Sequence, residues 1–418
     1  MENYTVVLLI LAVMICLSAV ADKTRFPYPI LLIIAGIAIG FTPSMPAIEL
    51  NPEIIFLIFL PPLLYDAAFN ISFKDFKMHI NTISTLAITL VFLTTLGIAV
   101  VARYLIPGMT WPLAFVLGSI LSATDAVAAM GITKGLGLSH KTTVILEGES
   151  LINDASALVA YRFAVAAVTG SAFVFLDASF EFLKLLGGGF LVGFVMSRLS
   201  FLLKFMKGNS VAMVSFLLLM PFVVYLIAEE LHVSGVIAVV TFGFGISFIS
   251  NKFFPDRLKN QSKHIWEIII FMLNGLIFIL IGMQLPYVLE NIPAANVTSY
   301  TIYALLITVV ALLIRMLRVY MQKVNLQKAF GRNHKRVKED MLIDSRNSLI
   351  ISWSGMRGIV SLAVAIGLPT TLADGSPFPM RNEIIYISVA TVLFTLLGQG
   401  LTLPLLVKKL IPQKHTSQ

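Results

Sequence analysis

The sequence predicts an all-α protein that crosses a membrane many times, and two features of its 418 residues point to this class. Hydrophobic residues make up 58% of the chain and charged residues only 12%, a balance that is foreign to soluble domains. The apolar residues also gather in about thirteen stretches, most of them near the twenty residues that a helix needs to cross the hydrocarbon core. The polar stretches between them are too short for a soluble domain, so any function should lie within the membrane part.

The predicted spans follow one another with short connections, and we number them as segments 1 to 13. The amino end lacks the basic n-region and the small-residue cleavage site of a signal peptide, so we expect segment 1 to be a retained helix. Segment 2 is short, and segment 7 contains three consecutive glycines, Gly187 to Gly189. The segments cover 4–21, 27–42, 53–70, 80–105, 111–132, 141–168, 182–203, 211–229, 233–250, 265–289, 298–322, 347–371 and 384–407.

The basic residues predict the orientation. When the connections are assigned alternately to two sides, most of the 30 Lys and Arg residues fall on one side, including a group that runs from Arg315 to Arg346. Such a bias marks the cytoplasmic side, so we expect the N-terminus outside a plasma or inner membrane and the C-terminus in the cytoplasm. This topology accounts for the net charge of +8 without nucleic acid as a partner. Arg162 and Arg357 remain within the spans.

An odd number of spans predicts an inverted repeat. Residues 1–180 would form the first repeat, 181–209 a linker helix, 210–409 the second repeat and 410–418 a short cytoplasmic tail. Segments 5 and 12 then occupy corresponding positions, and both place small or polar residues and a charge at mid-span. Paired interruptions of this kind are typical of transporters whose site is built by two discontinuous helices, so we expect segments 5 and 12 to be broken.

Four ionisable residues fall near the middle of predicted spans: Asp125, Glu149, Asp154 and Arg357. A charge at that depth costs several kcal/mol, so it is kept where it is paired or has a function. Segment 5 runs inward and segments 6 and 12 run outward, yet their midpoints bring these groups to one depth. We therefore predict an ion site at the membrane midplane.

The ligands would come from segments 5 and 6. On a helix, Ser150 and Asp154 share one face and Asn153 lies above Glu149 on the next. A carboxylate, a hydroxyl and carbonyl oxygens freed by a break around Thr124 suit a small hard cation, and we expect Na⁺ at Asp154, Ser150 and Thr124. Because one carboxylate can hold either a proton or a cation, this is the minimal design of an antiporter.

Several roles stay open on the residues alone. Asp125 either caps the half-helices at the break or coordinates the ion directly. Glu149 either forms a neutralising pair with Arg357 or binds the ion itself. Asp66 in segment 3 would line a funnel or pack, and Arg162 would be a structural or gate-lining charge.

Four motifs resemble the monovalent cation:proton antiporter type 1 family, the NhaP-like sodium/proton exchangers. They are LPPLLYDAAF at 60–69, SATDAVAAM at 122–130, EGESLINDASALVAYR at 147–162 and SWSGMRGIVSLAVAIGLP at 352–369. The resemblance implies a core domain that moves in an elevator-like cycle against a dimerisation domain, and hence a homodimer. It also implies alternating access, with Na⁺ and H⁺ as the transported ions and no other cofactor.

Carried over to this chain, the resemblance makes Asp154 the carrier of cation and proton and Asn153 its partner. Ser150 would complete the coordination together with the backbone oxygen of Thr124. Asp125 would stabilise the crossing of the broken helices, and Glu149 would pair with Arg357. An Asn-Asp pair is found in electroneutral members, which implies one proton per cation. The family often has Pro where this chain has Ala126, so the break in segment 5 would not be driven by proline.

The sequence leaves three alternatives to Na⁺/H⁺ exchange. A K⁺/H⁺ antiporter with the same fold has the same sequence features, and Li⁺ is a further candidate ion. A passive cation channel would be lined by the same acids, but broken helices with a mid-span site favour an exchanger. An intramembrane enzyme with Ser150 as nucleophile would need a base at that depth, and all six histidines fall near span ends. We therefore expect a transporter and not an enzyme.

Overall fold

The structure is a computed structural model that describes residues 3–24, 26–42, 52–133, 135–170, 175–200, 210–254, 256–332, 338–372 and 374–411. Its elements are helices, and the described residues contain no β-strand beyond one isolated bridge between Thr371 and Pro377. The helices are α1 (Asn3–Thr24), α2 (Tyr28–Gly40), α3 (Pro52–Asn70), α4 (Phe73–Ser84), α5 (Leu90–Leu105), α6 (Trp111–Ile120), α7 (Ala126–Thr133), α8 (His140–Val168), α9 (Phe175–Leu199), α10 (Ser210–Glu230), α11 (Gly235–Phe253), α12 (Asp256–Glu290), α13 (Ala294–Gly331), α14 (Ser345–Trp353), α15 (Ile359–Ile366), α16 (Arg381–Phe394) and α17 (Gly400–Leu410).

Two helix pairs are joined by a π-helical turn rather than by a loop. Thr85–Thr89 connects α4 to α5, and Thr395–Gln399 connects α16 to α17. Two other pairs are separated by non-helical residues: α6 from α7, and α14 from α15. These two interruptions fall in predicted segments 5 and 12, so the prediction of two discontinuous helices is confirmed.

The described residues confirm a helical protein that crosses a membrane several times. Six continuous helical stretches are long and apolar enough to span a bilayer, namely Phe73–Leu105, His140–Val168, Val211–Glu230, Arg257–Glu290, Ala294–Gly331 and Arg381–Leu410. Shorter apolar helices include Leu8–Ala21, Tyr28–Gly40, Ile54–Asn70, Trp111–Ile120 and Gly235–Ser250. The count of thirteen crossings stays a prediction.

Some helices extend past the spans predicted from hydropathy. α12 begins at Asp256, ahead of the predicted start at 265, and α13 continues to Gly331, beyond the predicted end at 322. A helix does not have to end where its residues become polar, so an apolar stretch marks only the part of the helix that is expected to lie within the membrane. The predicted tail at 410–418 and the end of the predicted linker, 201–209, lie largely outside the described residues.

The chain folds into two compact units. The first combines Met1–Glu49, Met78–Thr169 and Asn274–Gln418, and the second combines Leu50–Lys77 and Gly170–Leu273. Each unit takes stretches from both predicted repeats. Repeats are related by symmetry and units by packing, so the two divisions describe different properties, and the predicted repeat boundaries stay a prediction.

The first unit contains α5, α6, α8 and the two broken helices, which hold the candidate site. The helices around the breaks are joined by a buried apolar cluster, so the breaks are surrounded by a closely packed scaffold. The cluster comprises Leu86, Leu90, Ala126, Ile145, Leu146, Val319, Leu326, Ile343 and Ile351.

In the second unit, small residues allow the helices to approach closely. An added Cβ at Gly193 of α9 would overlap the backbone oxygen of Ala238 in α11. One at Gly243 of α11 would lie 2.8 Å from the Cβ of Ala68 in α3. Close contact through small residues is how helices gain packing energy in lipid.

Candidate ion-binding site

The two interruptions meet each other. In segment 5 the non-helical residues are 121–125, and in segment 12 they are 354–358. The backbone N–H of Asp125 donates to the carbonyl of Met356 at 2.7 Å, which joins the two broken helices at their crossing. Segment 5 breaks without a proline, since Ala126 starts α7. A polar cap at this point takes the role that a proline often has.

That cap is Asp125. Its Oδ1 accepts from the backbone N–H of Val127 at 2.8 Å and of Ala128 at 3.4 Å, the groups that the first turn of α7 leaves unpaired. Its Oδ2 lies against Gly358, the residue before α15, where an added Cβ would overlap it. The carboxylate therefore lies at the N-terminal ends of the two half-helices that follow the breaks, α7 and α15, where the helix dipole favours a negative charge. This is the capping geometry; direct coordination by Asp125 stays a prediction.

Arg357 has the complementary position. Its side chain is 1% exposed, and its Nε donates to the carbonyl of Leu121 at 3.1 Å, directly after α6. Its Nη1 donates to the carbonyl of Gly355 at 3.1 Å, just past the end of α14. The guanidinium therefore lies at the C-terminal ends of the two half-helices that precede the breaks, α6 and α14, where unpaired carbonyls favour a cation.

Glu149 has a different partner from the one expected. Its carboxylate forms a bidentate ion pair with Arg315 of α13. Arg315 Nη1 donates to Oε1, and Nη2 donates to Oε2 at 2.9 Å. Glu149 and Arg315 are each 2% exposed. The prediction that Glu149 pairs with Arg357 is therefore wrong, because Arg357 is turned towards the ends of the half-helices.

Arg315 was missed by the sequence reasoning. From the sequence alone it is counted with the basic residues on the cytoplasmic side, but in the structure Arg315 is one of the buried residues of α13. Its Nε also donates to the carbonyl of Ile351 at 3.1 Å. A signal was available, since Arg315 lies within the apolar run ALLIRML of segment 11.

Thr124 connects the ion pair to the rest of the site. Its hydroxyl donates to Glu149 Oε1 at 3.0 Å and accepts from Asn153 Nδ2 at 2.8 Å. Its backbone carbonyl accepts from Asn153 Nδ2 at 3.0 Å and from the Ser150 hydroxyl at 3.3 Å. Three of the predicted site residues, Thr124, Ser150 and Asn153, are thus brought together.

Asp154 differs from the other buried acids of the first unit. It is 7% exposed and lies one helical turn after Ser150 on α8. Its carboxylate makes no hydrogen bond or ion pair with any other residue that the structure describes. Glu149 is paired with an arginine and Asp125 caps a helix, so Asp154 is the acid whose charge has no protein partner among them.

Two accessory residues were also predicted, Asp66 and Arg162. Asp66 belongs to the second unit, where its Oδ1 accepts from Asn70 Nδ2 at 2.9 Å within α3. Arg162 lies two turns after Asp154 on α8 and is exposed. Their roles stay predictions.

The chain was compared with known proteins. Residues 8–409 match the family described as "Sodium/hydrogen exchanger, transmembrane". The sodium, potassium, lithium and rubidium/H⁺ antiporter of Bacillus pumilus is 36% identical, over 98% of this chain and 62% of that protein. The Na⁺/H⁺ antiporter NhaH of Halobacillus aidingensis is 30% identical, over 97% of each chain.

A solved structure supports the fold. The sodium proton antiporter MjNhaP1 from Methanocaldococcus jannaschii at pH 8 superposes with a TM-score of 0.72, covering 96% of this chain and 97% of that one at 20% identity. The chain spans less than two thirds of the Bacillus pumilus relative, so its match covers the part that both share. From the family match along nearly its whole length, we conclude that the chain belongs to the sodium/hydrogen exchanger family.

Proposed function

We propose that the chain is a secondary antiporter that exchanges Na⁺ for H⁺ by alternating access, with Asp154 holding either ion in turn. The family match and the names of the antiporter relatives support this activity. The proposal extends to the plasma or inner membrane, with the N-terminus outside, and to a homodimer. The distribution of Lys and Arg supports the orientation.

The observation that carries the proposal is the unpaired carboxylate of Asp154. A buried charge without a partner is costly, so the group is stable when it is protonated or when a cation neutralises it. The Ser150 oxygen lies on the adjacent turn of α8, and the oxygens of Thr124 lie at the break in segment 5 that faces it. A site that must hold one of two positive ions, and cannot hold both, couples the movement of one to the other.

The surroundings favour an exchange that moves no net charge. Glu149 is neutralised by Arg315, and Asn153 is neutral and bonded to Thr124. Asp154 is then the acid in this group left to exchange ions, which supports one proton per cation. The test is transport in proteoliposomes that enclose a pH indicator, with and without an imposed membrane potential.

Asp154→Asn keeps the shape of the side chain and removes its charge, so we expect it to abolish the Na⁺-dependent pH change. A matched control is Asp374→Asn, since Asp374 lies in the turn between α15 and α16, where its Oδ1 accepts from the backbone N–H and the hydroxyl of Ser376. The control should transport as the native protein does. Robust exchange by the Asp154 variant would contradict the mechanism.

K⁺/H⁺ exchange is the second candidate, and the name of the Bacillus pumilus relative, which includes potassium and lithium, favours keeping it. The same proteoliposomes measured with Na⁺, Li⁺ and K⁺ in turn decide between these ions. The same measurements also distinguish an exchanger from a passive channel. A channel would give cation current without obligatory proton movement, whereas an electroneutral exchanger gives no current.

A further inference from the structure

Gln399 is a buried side chain with unmet hydrogen-bonding capacity. It ends the π-helical turn Thr395–Gln399 between α16 and α17 and is 4% exposed. Neither its Oε1 nor its Nε2 has a hydrogen-bond partner among the described residues. Burying an unpaired amide costs free energy, and π-helical turns are frequent at functional sites. Both facts call for a role that packing alone does not supply.

The neighbours of Gln399 show which way it faces. Four residues earlier, the Thr395 hydroxyl accepts from the backbone N–H of Arg357 at 3.1 Å. Three residues later, the Thr402 hydroxyl accepts from Trp353 Nε1 at 2.9 Å. Residues at these spacings share one face of a helix. Gln399 therefore lies on the face that contacts segment 12, between the levels of Trp353 and Arg357.

The facing backbone of segment 12 has unpaired groups of its own. In the non-helical stretch after α14, the N–H of Met356 bonds to Ser354, and the carbonyl of Met356 accepts from Asp125. The carbonyl of Trp353 and the N–H of Gly355 make no hydrogen bond with another described residue. A carboxamide offers one acceptor and one donor group, and these backbone groups offer the complement.

We propose that Gln399 is a positioning residue for the broken part of segment 12, and that it acts through one buried water molecule. The water would bridge the Gln399 carboxamide to the Trp353 carbonyl and the Gly355 N–H. A buried water needs two to four polar partners, which this set provides. The position of the stretch then passes to the site through the bond from Asp125 to Met356, since Asp125 directly follows Thr124.

This inference rests on the proposed function where transport is measured, because a displaced Thr124 carbonyl should weaken cation binding. The informative variant is Gln399→Leu, which keeps the approximate size of the side chain. If Gln399 only filled space, removing an unpaired amide would be neutral or stabilising. If it positions segment 12, the stretch should loosen although the protein folds.

A matched control is Gln322→Leu. Gln322 is also 4% exposed, but it lies on α13 and its Nε2 bonds to Thr82 Oγ1 at 3.4 Å. It loses a buried carboxamide without touching the broken stretch. Where Gln399→Leu does not yield folded protein, Gln399→Asn, which keeps the amide but shortens the side chain, serves in both measurements below.

The first measurement is hydrogen exchange by mass spectrometry on the purified full chain, in peptides that cover 354–358. We expect the amides of Met356 and Arg357, which have protein partners, to exchange about fivefold faster in Gln399→Leu and unchanged in Gln322→Leu. The second is the half-saturating Na⁺ concentration in proteoliposomes, which should rise about fivefold with the maximal rate kept within about twofold.

The two measurements fail separately. If the amide hydrogens of 354–358 exchange faster in the Gln399 variant but the protein transports no Na⁺, the positioning role is supported and the proposed function is refuted. An unchanged rate of amide hydrogen exchange in the Gln399 variants, or an equal increase of that rate in Gln322→Leu, would overturn the positioning role whatever the transport shows.

Discussion

Replacing Arg315 with methionine removes the partner of the most deeply buried acid near the site. The guanidinium makes two bonds to Glu149 and one to the carbonyl of Ile351. Methionine keeps a long apolar side chain in the same space, so the variant mainly removes charge and hydrogen bonds. Among the residues that the structure describes, Glu149 would then keep only the Thr124 hydroxyl as a donor.

The expected cost follows from this geometry. Breaking a buried ion pair by removing one partner typically costs about 3–5 kcal/mol, because the remaining charge is left without compensation. Glu149 is 2% exposed, so water cannot compensate for the loss in place. Replacing both residues, as in Glu149→Gln with Arg315→Met, should cost less than the sum of the two single changes, since no unpaired charge remains.

The assay is unfolding in mixed detergent micelles, followed by the fluorescence of the three tryptophans, with a double-mutant cycle. We expect a coupling energy of about 2 kcal/mol or more between Glu149 and Arg315. The matched cycle between Glu149 and Arg357 should give a clearly smaller value, since Arg357 bonds to backbone carbonyls instead. A larger coupling to Arg357 than to Arg315 would refute the assignment of the pair.

Two further predictions concern the crossing of the broken helices. Gly358→Ala introduces a Cβ that overlaps Asp125, so we expect a loss of about 1–3 kcal/mol in the free energy of unfolding, whereas Gly398→Ala, with open space around it, should be near neutral; equal stability of the two variants in the same unfolding assay would contradict the close approach. Asp125→Ala should cost about 0.5–2 kcal/mol because the cap of α7 is lost, and Asp125→Asn should cost less because its oxygen still accepts from Val127; indistinguishable losses would argue against the capping role.

Much of the architecture could be predicted because lipid restricts the choices. Helices of about twenty apolar residues are readable as hydropathy. The breaks in segments 5 and 12 were also predictable, since polar residues at mid-span need backbone or side-chain partners. Helical spacing on α8 and the break in segment 5 predicted that Ser150 lies near Thr124. The bonds from Asn153 to Thr124 did not follow from that spacing, which placed Asn153 on the neighbouring face.

The charge pairing could not be predicted in the same way. The choice between Arg315 and Arg357 as the partner of Glu149 depends on the rotation of α13 and on the direction of each guanidinium. Arg357 was near the right depth, but the unpaired carbonyls at the ends of α6 and α14 bind it. Arg315 lies within predicted segment 11, but it was counted with the cytoplasmic charges because a long basic side chain near a helix end can extend to the interface. The sequence therefore gives the approximate depth of a residue, but neither the direction nor the partner of its side chain.

The central claim is that Na⁺ and H⁺ compete for the carboxylate of Asp154. The measurement that tests it most directly is the half-saturating Na⁺ concentration in proteoliposomes over a range of pH. Below the pKa of the carrier, competition predicts a rise of about tenfold for each pH unit lowered, with an unchanged maximal rate. A half-saturating concentration that is independent of pH, or a maximal rate that alone changes, would contradict the account.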